Sequence, residues 1–176
     1  MDLAIIPECF VDTNLVETLV PPQGRGYNHQ KGCGTVTKVM QEKFTNSFAL
    51  GIIDKDKREV DYLKECNTII VTSGLLLHKH KTRHHYLIQI APVIEQMILL
   101  NAAAVYINIE DYDLPSNLEE LIKVSKTENS KKDIRFKRLF RDMKAANAPD
   151  LVKLEAWIKY LKHKNYQADM EALKNL

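Results

Sequence analysis

Two aspartates, one residue apart, follow an apolar segment in the first third of the chain. The stretch FALGIIDKDK covers residues 48–57, and it places Asp54 and Asp56 at the carboxyl end of a predicted strand. A strand that ends in Asp-x-Asp directs two oxygen ligands to one side of the chain, and Mg²⁺ prefers such ligands. A charged, solvated turn has the same sequence. The motif therefore predicts either a metal site or simply the end of a strand.

Two further carboxylates stand at the end of an earlier predicted strand. Glu8 ends the short apolar segment LAIIPE, and Asp12 begins the helix predicted after it, where it could also serve as the N-cap. In open α/β sheets, ligands bind at the carboxyl ends of the strands. If the two strands are neighbours, Glu8 and Asp12 converge with Asp54 and Asp56. So many negative charges would repel one another unless a cation lay among them.

The elements that must position these residues alternate between strand and helix over the first 74 residues. This alternation predicts an α/β fold with a mostly parallel sheet flanked by helices. Residues 21–34 are rich in glycine and predict a loop or one very short strand. Buried strands are expected at 3–8, 47–54 and 67–74, and helices at 12–20, 35–44 and 58–66.

A basic, histidine-rich segment follows, and it predicts a hairpin at residues 75–90 (LLLHKHKTRHHYLIQI). Its histidines suggest a transition-metal site, but no acidic or cysteine partner stands at a recognised spacing. We instead expect Lys79, Lys81 and Arg83 to contact nucleic-acid phosphates at the mouth of the carboxylate site. A solvated hairpin tip is the alternative.

The remainder of the chain predicts helices. Pro92 is expected to open one helix, with Glu95 in its first turn, where the helix dipole favours a carboxylate in any case. Ser116 and Glu119 form a capping-box pattern for the next helix. Helices are also expected at 130–145 and 149–163. The predicted organisation is an α/β domain over residues 1–108 with a helical C-terminal extension, residues 109–176, packed on it.

Positive charge is concentrated near the C-terminus. The chain has a net charge of +2, yet residues 131–176 contain twice as many Lys and Arg as Asp and Glu. Arg135 and Arg138 lie on one face of the predicted helix 130–145, apart from its apolar stripe. This face predicts a nucleic-acid-binding surface, with an ordinary solvated helix face as the alternative.

The acidic motifs resemble a known family. The segment IIPECFVDTNLVE followed by LGIIDKDK resembles the TOPRIM domain of topoisomerases, primases and OLD-family nucleases, in which a glutamate ends the first strand and Asp-x-Asp ends a later one. Glu8, Asp12, Asp54 and Asp56 fall on those positions. The stretch IQIAPVIEQMILLNAAA resembles the Pro-x-x-Glu helix of RloB-like and OLD-type TOPRIM proteins, which adds Glu95.

The resemblance implies a function and a cofactor. Asp54 and Asp56 would bind Mg²⁺ or Mn²⁺, Asp12 and Glu95 would support a second ion, and Glu8 would bind metal or act as general acid or base. The implied activity is hydrolysis of phosphodiester bonds in DNA or RNA, in a defence or DNA-repair setting in a prokaryote or its mobile elements.

The sequence also departs from the family. Many TOPRIM domains have glycine directly after the glutamate, whereas Cys9 stands here, and a second strand is hard to find in residues 21–34. The resemblance covers roughly residues 1–100.

Other functions stay open at this point. One alternative is a non-catalytic TOPRIM-like module that binds nucleic acid or a partner ATPase, with structural carboxylates. Another is a small-nucleotide hydrolase or transferase that uses the same metals. Self-association is also open. No apolar stretch is long enough for a membrane span and the first residues lack a signal-peptide pattern, so a cytoplasmic protein is expected. Cys9, Cys33 and Cys66 suit neither a disulfide framework nor a structural zinc site.

Overall fold

The protein forms one mixed sheet covered by helices. The structure, a computed structural model, describes residues 2–55 and 60–176. Its strands are β1 (Ile5–Pro7), β2 (Ala49–Asp54), β3 (Cys66–Val71), β4 (Leu75–His80) and β5 (His85–Ile90). Its α-helices are α1 (Phe10–Leu19), α2 (Cys33–Lys43), α3 (Ile94–Ala104), α4 (Leu118–Ser125), α5 (Ile134–Ala145), α6 (Pro149–Lys164) and α7 (Met170–Lys174).

The strand order is β1-β2-β5-β4-β3. The β1–β2 and β2–β5 pairs are parallel, whereas β5–β4 and β4–β3 are antiparallel. The predicted α/β class and the predicted hairpin at 75–90 are therefore confirmed. Short connections on both sides of β4 reverse the chain, because a parallel crossover needs a dozen or more residues.

Two segments differ from their predictions near the edge of the sheet. The strand predicted as buried at 67–74 is the partly exposed edge strand β3, and Val71 is 66% exposed. The helix predicted at 58–66 is a short 3₁₀ turn, Asp61–Glu65, in its described part. Apolar character alone misled the prediction for 67–74, because a short apolar segment does not reveal whether a neighbouring element covers it.

Side chains of β2 alternate between two cores. Leu50 and Ile52 face the larger core, which α1, α3, α5 and α6 complete, while Ala49 and Ile53 face a smaller core under α2. Asp54 shares the phase of Leu50 and Ile52, because side chains on a strand alternate with a period of two. Asp54 is therefore directed to the side of the sheet where α1 and α3 begin.

The C-terminal helices complete the larger core. The helix predicted at 149–163 is α6, and its apolar stripe is fully buried: Leu151, Leu154, Trp157, Ile158 and Leu161 are each 0% exposed. The stripe predicted for residues 130–145 is buried except at its start, where Ile134 is 57% exposed. Asn14 on α1 also donates to the carbonyl oxygens of Ser130 and Asp133, at 2.8 and 3.0 Å. These contacts hold the beginning of α5 against α1.

Three helix starts differ by a few residues from their predicted positions. Cys9, not Asp12, is the N-cap of α1; α3 begins at Ile94, two residues after Pro92; and Asn117, not Ser116, caps α4. Asn117 accepts from two backbone N–H groups of α4, so the real cap lies one residue past the predicted capping box.

Gly51 on β2 is a packing requirement. A Cβ at this position would lie 2.6 Å from Leu87 Cδ2, 2.9 Å from Met40 Sδ and 3.0 Å from Val36 Cγ1. We expect Gly51→Ala to lower the free energy of unfolding by about 1–3 kcal/mol, because overpacking a dense core forces its neighbours apart. Urea denaturation of the two proteins measures the difference.

Gly34→Ala is the matched control for this prediction. In the described part of the chain, no neighbouring atom lies within 4 Å of a Cβ built on Gly34, which is in α2. Alanine there should leave the protein equally stable or more stable, because it favours helix over the unfolded chain. Equal stability of Gly51→Ala and wild type would contradict the packing argument.

Candidate functional site

The register between β1 and β2 brings Glu8 and Asp54 together. Pro7 pairs with Ile52, and the N–H of Glu8 donates to the Ile52 carbonyl at 3.0 Å. The N–H of Asp54 then donates to Glu8 Oε2, also at 3.0 Å. The two carboxylates therefore lie together at the edge of the sheet formed by the carboxyl ends of β1 and β2, as predicted from their positions at the ends of two strands.

Asp12 joins them from the first turn of α1. It forms a reciprocal capping box with Cys9: the Cys9 N–H donates to Asp12 Oδ2 at 3.1 Å, and the Asp12 N–H donates to Cys9 Sγ at 3.4 Å. The thiol thus takes the place of the usual hydroxyl cap. Asp12 is 0% exposed, and its other oxygen, Oδ1, is buried and has no hydrogen-bond partner among the residues that the structure describes.

Glu95 reaches the same edge from the start of α3. The N–H of Ile94 donates to Asp54 Oδ1 at 2.9 Å, which fixes the beginning of α3 against the end of β2. Glu95 is buried, and the Ser125 hydroxyl donates a hydrogen bond to its Oε1. Ser125 itself carried no motif, so nothing in the sequence marked it as a partner of Glu95.

Burial and mutual repulsion shape the electrostatics of these four residues, which we call the carboxylate cluster. Burial, together with the charges of Asp12, Glu8 and Glu95, raises the pKa of Asp54 to about 9. Burial likewise raises the pKa of Asp12 to about 7, with contributions from Glu8 and Glu95. Each negative charge disfavours the next, so protons or a cation must balance part of the cluster at neutral pH.

The cluster has features that fit a hard divalent cation. Its side-chain ligand atoms are carboxylate oxygens, which Mg²⁺ and Mn²⁺ prefer, and Asp12 Oδ1 is a buried oxygen to which no described residue donates a hydrogen bond. Within residues 2–55 and 60–176, no three His, Cys, Asp or Glu side chains are already arranged as a metal site. Asp56, the second aspartate of the motif, lies outside the described residues.

The basic hairpin lies elsewhere. Ala49 pairs with His85 at the beginning of β2, whereas Asp54 is at the end of this strand. The turn between β4 and β5 therefore lies at the opposite end of the strands from Asp54. Lys79 donates to the carbonyls of His80 and Arg83, and Lys81 donates to the Lys64 carbonyl. The prediction that Lys79, Lys81 and Arg83 border the carboxylate site is therefore wrong. The prediction failed because nearness in sequence says nothing about which edge a hairpin turn occupies.

The hairpin histidines are structural where they are buried. His78, His80 and His85 are each 6% exposed or less. The ring of His85 bonds to the Tyr62 hydroxyl and the Phe44 carbonyl at 2.6 and 2.8 Å, and His80 Nδ1 accepts from two turn N–H groups. Their ring nitrogens are used inside the sheet. The predicted solvated tip is therefore wrong for these three residues.

The two arginines predicted to bind nucleic acid differ in their surroundings. Arg135 forms an ion pair with Asp133 at 2.7 Å and donates to the Asp113 carbonyl at 2.9 Å. Arg138 lies over the ring of Tyr112, 5.7 Å from its centroid, and is exposed. Arg135 thus fastens the start of α5, whereas Arg138 presents its charge at the surface.

One segment of the stretch 21–34, predicted as a loop or one very short strand, lies beside the cluster, and the sequence did not predict this position. Asn28 and Gln30 donate through their N–H groups to the carbonyls of Ile5 and Pro7, at 3.1 and 3.0 Å. Residues 28–30 therefore run alongside β1 toward the end that carries Glu8. Nothing in the sequence around these residues alternates between apolar and polar as a strand does, so their position could be found only from the structure.

Comparisons with known proteins leave the family open. No protein-family model matches the chain, and neither a curated protein nor a solved structure matches it. In the described ranges, no helix combines the length and the apolar character needed to cross a membrane. The function proposed next therefore depends on the geometry and chemistry of the carboxylate cluster.

Proposed function

We propose that this protein is a metal-dependent phosphodiesterase that hydrolyses nucleic acid, with a TOPRIM-like arrangement of its acidic residues. The supporting observation is the convergence of Glu8, Asp12, Asp54 and Glu95 from two strands and two helices on one sheet edge. A buried cluster of this kind costs free energy in the folded protein unless it binds protons or a cation. By resemblance, the setting we propose is phage defence or DNA repair.

The residues of the cluster take different roles in this proposal. Asp54 and Asp12 hold Mg²⁺ or Mn²⁺, Glu95 supports it, and Asp56 is assigned as a further ligand by the family resemblance alone. When bound, the cation would neutralise the scissile phosphate and lower the pKa of an attacking water. Glu8 is the group we assign to proton transfer, or to the metal. Its Oε2 is oriented by the N–H of Asp54.

The surrounding backbone orients the ligands before any substrate arrives. Oδ2 of Asp12 is held by the Cys9 N–H, and Oδ1 of Asp54 is held by the Ile94 N–H. One oxygen of each carboxylate is thereby fixed, which sets the direction of the other. Such hydrogen bonds to ligating carboxylates are what metal sites use to fix the orientation of their ligands.

A second function is favoured by the same hydrogen bonds. Because Glu8, Asp12 and Asp54 each accept a backbone N–H, they also tie β1, β2, α1 and α3 together. In a non-catalytic module that binds nucleic acid or a partner ATPase, these carboxylates would have only this structural role. This function predicts binding without hydrolysis.

An activity assay on the purified full chain separates these functions. Labelled single- and double-stranded DNA and RNA, and free nucleotides, are incubated with Mg²⁺, with Mn²⁺ or with a chelator. We expect cleavage of DNA or RNA in a divalent cation and none in the chelator. Turnover of free nucleotides alone would favour a small-nucleotide enzyme. Binding without cleavage would favour the non-catalytic module, and either result would overturn the proposed hydrolysis.

A further inference from the structure

Positive side chains stand next to the carboxylate cluster on its β1 side. Residues 28–30 run parallel to β1, so the next residue, Lys31, lies at the carboxyl end of β1, where Glu8 also lies. The Lys31 ammonium is 5.1 Å from the centroid of the Phe10 ring, in the first turn of α1. The His29 ring stacks on the same Phe10 ring, with 4.6 Å between the two centroids.

A third group reaches this place from the C-terminal part of the chain. Asn14 binds the Ser130 carbonyl at 2.8 Å, which holds the segment carrying Lys131 against α1. The charges of Lys131 and Lys31 both lower the pKa of His29, after the larger effect of burial, while Glu128 opposes them. Lys31, Lys131 and His29 therefore lie near one another, although 100 residues separate the two lysines in the sequence.

The two lysines differ from several basic residues on the C-terminal helices. Lys144, Lys159, Lys162 and Lys174 each form an ion pair with an acidic residue. Neither Lys31 nor Lys131 forms an ion pair with a described carboxylate. His29 instead fixes the position of this segment: the Thr13 hydroxyl donates to the Cys9 carbonyl, so it accepts from His29 Nδ1.

We propose that Lys31 and Lys131 form a phosphate-binding subsite, with His29 as the positioning residue between them, that holds the nucleic-acid backbone beside the carboxylate cluster. The subsite replaces the hairpin as the phosphate-contacting surface at this edge. Its physical basis is simple: a polyanion cannot approach a cluster of carboxylates unless neighbouring cations offset the repulsion. The first turn of α1 joins the two, because Cys9 and Asp12 face the cluster while Phe10 and Thr13 contact His29.

The subsite rests on the proposed function for its ligand, but its test does not require hydrolysis. A short fluorescein-labelled single-stranded oligonucleotide is titrated with the full chain in a chelator, and its anisotropy is followed at several salt concentrations. The test variant is Lys31→Gln with Lys131→Gln. The matched control is Lys159→Gln with Lys174→Gln, which removes equal charge from α6 and α7.

We expect Kd of the test variant to be roughly tenfold higher than that of wild type near physiological salt. The slope of log K against log salt should become less negative by about 1.4, which corresponds to the loss of two phosphate contacts on a single strand. The control pair should leave the slope unchanged, because each of its lysines is already paired. A slope unchanged in the test variant, or reduced equally in the control pair, would overturn the subsite.

The two proposals fail in different ways. Binding with the expected slope change, without cleavage in any divalent cation, keeps the subsite and overturns hydrolysis. Cleavage by the test variant with wild-type KM and kcat, together with an unchanged slope, keeps hydrolysis and overturns the subsite.

Discussion

Asp54→Asn is expected to reduce divalent-dependent cleavage of nucleic acid by roughly 100-fold or more, since loss of even an outer-shell partner of a metal ligand costs 10–100-fold. Asparagine keeps an oxygen that can accept from the Ile94 N–H, so the start of α3 stays in place. What changes is the charge at the centre of the cluster. Initial rates for wild type and variant, at saturating Mg²⁺ or Mn²⁺, measure the loss.

The control for this prediction is stability, because an unfolded variant would also be inactive. The pKa of Asp54 is raised in the folded protein, so the folded state binds its proton more tightly than the unfolded chain does. Wild type therefore loses stability as pH rises from about 4 toward the folded pKa, and gains it as pH falls. Asparagine does not ionise, so the variant does not lose this stability as pH rises. In a chelator near pH 8, Asp54→Asn should unfold roughly 2–4 °C higher than wild type for each 1 kcal/mol of penalty removed.

Two results would contradict the role given to Asp54. One is an Asp54→Asn variant that cleaves nucleic acid as fast as wild type. The other is a variant less stable than wild type in the chelator, which would mean that the carboxylate is stabilised rather than repelled where it lies. Glu42→Gln, an exposed neutralisation on α2, should change neither rate nor stability appreciably.

The acidic part of the site could be predicted from the sequence because strand ends determine it. Glu8 and Asp54 each follow an apolar segment, and parallel neighbours place such residues at one edge. Glu95 was predicted by resemblance rather than by pattern, and the structure brings it to the same edge. The cap of α1 was missed by three residues, because cysteine is an unusual N-cap and a rule based on aspartate selects Asp12 first.

The basic part could not be predicted, because the charge pattern shows neither which cations are already paired nor which are brought to the site by distant contacts. Arg135 has the spacing of a nucleic-acid contact, but Asp133, two residues away, already binds its guanidinium. Lys131 gained a place beside His29 only through the bonds of Asn14 to a distant turn. The pattern of charges along one helix shows neither the ion pair of Arg135 nor the position of Lys131 in the folded protein.

The affinity of the cluster for a divalent cation is expected to rise steeply with pH. At neutral pH the raised pKa values mean that Asp54, and part of the Asp12 population, carry protons in the metal-free protein. A metal ion binds the ionised carboxylates, so it must displace these protons. Each displaced proton contributes a factor of ten in apparent affinity per pH unit, and one proton gives about 100-fold between roughly pH 6 and pH 8.

Calorimetric titration of Mn²⁺ into the full chain tests this linkage directly. The apparent Kd should fall about 100-fold between the two pH values, and the measured enthalpy should change with the ionisation enthalpy of the buffer, because protons leave with binding. Asp54→Asn should lose most of the binding and of the buffer dependence, whereas Glu42→Gln should keep both. Affinity that is equal at the two pH values would mean that binding displaces no proton from the cluster. The carboxylates would then be structural ties between β1, β2, α1 and α3, and the non-catalytic module would become the better account of the fold.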